Sequence, residues 1–167
     1  LKSVNNSVFY VDSLNHDQEK LINFFSEFIF GFNLKSYTFN KYKTQNKTKI
    51  NKKINIEILS DYKKKIENEY KYYNAVKEGI FLTRDLVSEP PNILTPDNYM
   101  REIKKLSSIG LKIKVYDEKE MKKLGLNALL GVGQGSINGS YLVTLEWNGN
   151  KKSKKNPLAF VGKGVCF

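Results

Sequence analysis

Apolar positions along the chain fall into blocks whose spacing switches between the strand period and the helix period. Ser7 to Val11 is a short apolar run that predicts a strand. From Asp17 to Phe30, Leu21, Phe24, Phe25, Phe28 and Ile29 recur at helical spacing, which predicts a helix with one aromatic face, stopped by Gly31. Ser36 to Phe39 alternates as a strand does. Lys41 to Lys53 is basic and polar and predicts an exposed loop, and Ile54, Ile56 and Ile58, alternating with Asn55 and Glu57, predict a half-buried strand. Helical periodicity then runs long, from Tyr62 to Val87, with Ile66, Tyr70, Tyr73, Val76, Ile80, Thr83 and Val87 on the inner face. Glu89-Pro90-Pro91 ends it, because proline lacks an amide proton and restricts the residue before it.

The second half opens with Thr95 as an N-cap, Pro96 in the first turn and Asp97 where the helix dipole favours an acid. Tyr99, Met100, Ile103 and Leu106 form the expected buried stripe, and Gly110 the stop. Leu111 to Tyr116 predicts a strand, and Asp117 with Glu120 predicts a capping box for a short helix through Leu124. The glycines of Gly131-Val132-Gly133-Gln134-Gly135-Ser136 predict a tight turn. Tyr141 to Trp147 predicts another strand, Lys151 to Lys155 an exposed loop, and Pro157 to Phe167 a final apolar strand. Strands alternating with helices predict an α/β fold with a mixed sheet in the second half.

At 167 residues the chain holds one ordinary domain or pieces of two. No apolar run approaches the roughly 18 residues that span a bilayer. A single cysteine excludes an internal disulfide and suits a reducing compartment, so a cytoplasmic location is expected. The net charge of +11 invites a nucleic-acid partner. Against that, the lysines are scattered among asparagines and isoleucines, and Arg84 and Arg101 are the only guanidinium groups for bidentate contacts. The glycine-rich segment lacks the Lys-Ser/Thr ending of a phosphate-binding loop. His16, the only histidine, stands between Asn15 and Asp17, a turn or cap position. Arg84 and Asp85 suit either an interdomain ion pair or a solvated surface. Lys163, flanked by Gly162 and Gly164 at the end of an apolar run, reads on its own as a strand-end lysine with its ammonium in water, although a charge there is costly unless something uses it and the glycines leave room for a ligand.

Gly162-Lys163-Gly164-Val165-Cys166-Phe167 resembles the opening half of the metal-site signature of the leucyl aminopeptidases, the cytosol aminopeptidase family. Thr83 to Asn92 followed by Thr95-Pro96 is similar to that family's entry into its catalytic domain, and Ala128 to Ser136 to its glycine-rich segment. Gly31 to Thr44 resembles the end of its N-terminal domain. The blocks stand in the family's order. The resemblance implies three parts: residues 1–61 as the end of an N-terminal α/β domain, 62–88 as a linker helix, and 89–167 as the first part of an α/β mixed-sheet catalytic domain. It implies a two-metal enzyme, with manganese or zinc, that hydrolyses N-terminal residues from peptides, leucine preferred, and assembles as a homohexamer. Lys163 would bind one metal through its neutral amine. The family's next ligand, an aspartate, would follow Phe167, and the remaining carboxylates, a second lysine and an arginine would come later. The chain as given is therefore expected to be inactive, a fragment of the enzyme. The alternatives are a non-catalytic remnant of a degraded or split gene and a basic DNA-binding module. Cys166 stands where the family often has threonine and is expected to be a buried small residue.

Overall fold

The computed structural model describes residues 6–10, 17–44 and 55–166. His16, Ile54, Phe167 and most of the expected basic loop lie outside the described residues. The chain divides into two compact units, Leu1–Ser88 and Glu89–Phe167. Both combine helices with a small sheet, an α/β construction.

The first unit is a β-α-β-α run. Strand β1 (Asn6–Tyr10) pairs in parallel with β2 (Asn55–Leu59), Ser7 opposite Ile56 and Phe9 opposite Ile58. A parallel pair needs a crossover, and α1 (Gln18–Ser36) supplies it. Asp17 caps that helix by accepting from the Glu19 amide. Alternation turns Ile56 and Ile58 inward and leaves Asn55, Glu57 and Leu59 exposed. Helix α2 (Lys63–Ser88) lies along α1, and their contacts advance together: Ser26 with Ile66, Phe30 with Tyr73, Tyr37 with Phe81. The two helices thus run in the same direction. The core is Leu21, Phe25 and Ile66, with Phe9, Ile22, Ile29, Ile58 and Tyr62 packed around it.

Several expectations for this unit are corrected. Gly31 does not stop α1, which continues to Ser36 and takes the expected strand's first residue with it; Tyr37 to Asn40 form no strand. Tertiary contact overrides the glycine's weak helix propensity, because Asn33, Leu34 and Tyr37 beyond it are all held by α2. Phe24, expected inside, is exposed, and the small Ser26 is buried instead. Its size lets α2 come close, and its hydroxyl donates to the Ile66 carbonyl at 3.4 Å. The inner face of α2 also drifts from the expected one. Val76, Thr83 and Val87 are exposed, while Phe81 and Arg84 meet Tyr37. Arg84 stacks 4.1 Å from the Tyr37 ring and donates to the Leu34 carbonyl, and Asp85 accepts from the Tyr37 hydroxyl at 2.8 Å. Both residues are exposed and have partners inside their own unit.

In the second unit, α3 (Pro96–Lys105) continues into a tight turn, Leu106–Ile109, that Gly110 ends at φ 95°. Glycine is required there twice over, by that conformation and by the Trp147 ring, which would stand 3.1 Å from an added Cβ. Strand β3 (Lys112–Tyr116) follows, then α4 (Glu118–Lys123) with the expected Asp117/Glu120 capping box. Short helix α5 (Asn127–Gly133) precedes β4 (Leu142–Glu146), which pairs antiparallel with β3, Val115 opposite Val143. Met121 of α4 is completely buried and centres this unit. Gly131 and Gly133, expected in a tight turn, lie within α5. Pro157 to Cys166, expected to form a strand, is unpaired: no described strand lies beside it, and a ladder needs a partner.

Candidate functional site

The segment that carries Lys163 is held at few points. Leu158, Phe160 and Val161 are 81%, 89% and 99% exposed, and Lys163 is exposed as well. Cys166 is half-buried, and burial pushes its thiol pKa up, so it stays protonated and weakly nucleophilic at neutral pH. The closest described seat is at Gly164. A Cβ there would stand 2.5 Å from Tyr99 Cε1 and 3.1 Å from Cδ1, so the ring or the backbone would have to shift. Gly162 meets nothing within 4 Å. The two glycines around Lys163 thus differ: one is clamped, the other free.

Tyr99 belongs to the most firmly tied turn of the unit. Thr95 caps α3 by accepting from the Asn98 amide at 3.3 Å, and the Tyr99 amide donates to the Thr95 carbonyl at 2.8 Å. The Asn98 side-chain amide donates to the Ile93 carbonyl at 2.7 Å, which binds the turn back onto the loop before it. The Tyr141 hydroxyl donates to Asp97 Oδ1, tying the same turn to the start of β4. That hydrogen bond, then burial, then the negative charge of Asp97 hold the Tyr141 hydroxyl pKa above its ordinary range. The Ser140 amide donates to Glu118 Oε1 at 2.9 Å, which ties α4 in as well. Ser140 Oγ also approaches Gly133 so closely that an added Cβ would stand only 1.9 Å away. Of the segment's glycines Gly133 serves close packing, while an added Cβ at Gly131 or Gly135 would meet nothing within 4 Å.

Lys163, a candidate through the family resemblance, stands exposed with Tyr99 against the neighbouring Gly164. No group of three His, Cys, Asp or Glu that could hold a metal occurs among the described residues. Two divalent ions need several oxygen ligands. The described residues therefore do not by themselves make a two-metal site. Tyr99 was expected only as part of a buried stripe. The signal that could have shown its role is Gly164, a glycine with no turn to explain it.

Comparison with known proteins gives this arrangement its class. Residues 81–167 match the model of the cytosol aminopeptidase family, catalytic domain. The chain is 45% identical over 143 residues to "Probable cytosol aminopeptidase" of Phytoplasma mali, a match covering 84% of this chain and 29% of that protein. It is 36% identical over all 167 residues to the protein of the same name in Phytoplasma australiense, covering 33% of it. Among solved structures, a tomato leucine aminopeptidase variant matches at a TM-score of 0.71 and 27% identity, over 84% of this chain and 29% of that one. The bottromycin maturation enzyme BotP in complex with Mn shares the fold at a TM-score of 0.59 and 20% identity. The chain belongs to the cytosol aminopeptidase family. It spans about 29% of the length of the curated relatives it matches.

Proposed function

We propose that this chain is the central piece of a metal-dependent aminopeptidase that hydrolyses the first peptide bond of peptides, with leucine preferred at the N-terminus. The match over residues 81–167 to the family's catalytic domain carries this reading, because it includes the Gly162-Lys163-Gly164 segment. In this account residues 1–61 end an N-terminal domain, 62–88 form the linking helix, and 89–167 begin the catalytic domain. Lys163 contributes one nitrogen ligand to a pair of divalent ions, manganese or zinc. The carboxylates that complete the centre come from other parts of the whole protein, since the described residues provide no such cluster. A lysine can ligate only as the neutral amine, and a neighbouring dication favours that form. Bound ions of this kind polarise a carbonyl and acidify water. The 167-residue chain alone is inactive in this account, and the whole enzyme is a cytoplasmic homohexamer. No helix among the described residues is long and apolar enough to cross a membrane.

The test is release of leucine from a leucyl peptide by the full-length gene product, before and after removal of divalent ions with a chelator. Activity restored by Mn²⁺ or Zn²⁺ supports the reading. Activity untouched by chelation, or none with either ion, overturns it.

A further inference from the structure

The segment Pro157 to Cys166 would be expected to wander, with its apolar side chains exposed and no strand beside it. Yet its backbone at Gly164 lies against an aromatic ring so closely that an added Cβ would stand 2.5 Å from the ring and force the ring or the backbone to move. The ring is Tyr99, and its own backbone is fixed by the Thr95 cap, by the Asn98 bond to Ile93 and by the Tyr141 bond to Asp97. A flat, stiff side chain on an anchored turn, closing on a residue without a side chain, is the geometry of a clamp. We infer that Tyr99 is the positioning residue for Lys163: its ring seats Gly164 and so fixes the backbone that presents the lysine amine. Gly162 has nothing within 4 Å. A side chain there would meet open space, so the contact lies on the Gly164 side only. This rests on the reading of Lys163 as a functional side chain. The physical seat itself does not depend on it.

Limited trypsin digestion of the 167-residue chain tests the clamp, because trypsin cuts after Lys163 itself. Cleavage after Lys155, in the exposed loop upstream, serves as the internal reference. Fragments are counted by mass spectrometry and the ratio of the two initial rates is taken. Cleavage follows the population of the open segment, so Tyr99→Ala should raise the Lys163/Lys155 ratio about tenfold. Tyr99→Phe keeps the ring and should hold the wild-type ratio. Gly164→Ala alters the leaving side of the scissile bond, so its ratio is divided by that of an unstructured peptide spanning residues 150–167 with the same substitution; so normalised it should rise as Tyr99→Ala does, and the double variant should not exceed either single one. If Tyr99→Ala unfolds its unit, seen as loss of native Trp147 fluorescence, Gly164→Ala decides alone, since that residue lies in no helix or strand. An unmoved ratio in the folded variants overturns the clamp whatever Lys163 does. A raised ratio, alongside peptide hydrolysis indifferent to Lys163→Ala, would remove the metal reading and leave the clamp standing.

Discussion

Replacing Tyr141 with phenylalanine removes one oxygen and leaves the ring in place. In the wild-type chain that hydroxyl donates to Asp97 in the first turn of α3, a bond between two half-buried side chains. Hydrogen bonds to charged partners contribute about 1.5–3 kcal/mol when enclosed. Partial access of water to Asp97, and the favourable helix end on which it sits, lower the cost of losing it to about 1–2 kcal/mol. Trp147, the only tryptophan, belongs to the same unit and rests against Gly110, so its fluorescence reports this unit's unfolding. With a urea slope of about 1–2 kcal/mol/M, the midpoint should fall by about 1 M at pH 7. The pH dependence has a definite sign. Hydrogen bonding to Asp97 and burial raise the folded tyrosine's pKa above its ordinary 10.0. The stabilisation is therefore full below about pH 10 and is lost as pH rises through the folded value. The gap between wild type and Tyr141→Phe should be flat from pH 7 to 9 and should close at higher pH. Equal midpoints at pH 7, or a gap that widens above pH 10, would refute the assignment.

Other outcomes follow from the packing. Met121→Ala should destabilise the second unit by about 2–5 kcal/mol in the same fluorescence assay, because the side chain is wholly enclosed; a loss below about 1 kcal/mol would place the core elsewhere. Gly31→Ala should stabilise α1 by about 0.5–1 kcal/mol, measured by amide exchange along the helix, since it sits mid-helix with nothing within 4 Å of an added Cβ. A DNA duplex should be retarded only diffusely at about 50 mM salt and released by about 200 mM, as scattered lysine charge implies. A discrete complex surviving the higher salt would revive the nucleic-acid reading.

The parts of the fold that the sequence made legible are those where local chemistry and packing agree. Thr95-Pro96-Asp97, the Asp117/Glu120 box, the Glu89-Pro90-Pro91 stop and the alternation around Ile56 and Ile58 all act where they stand in sequence. The misreadings arise where a distant residue decides. Gly31 looked like a stop because nothing local shows that Tyr37, six residues on, will be gripped by Arg84 and Asp85. The burial of Ser26 has no local signal, because its partner is a backbone carbonyl 40 residues away. Gly133 looked like a turn, whereas it makes room for Ser140. The terminal apolar run had strand composition and no described strand to pair with. Lys163 stood out through the family resemblance, but the ring that distinguishes Gly162 from Gly164 comes from α3, 65 residues earlier, and no local pattern points to it.

The central claim concerns Lys163, and the most direct measurement is leucine release by the full-length gene product with Mn²⁺ supplied, wild type against Lys163→Ala. Loss of a metal ligand should lower kcat/KM at least about 100-fold, a barrier increase of about 2.7 kcal/mol, and should weaken Mn²⁺ binding in the same preparation. Equal kcat/KM and equal Mn²⁺ affinity in the two proteins would contradict the account.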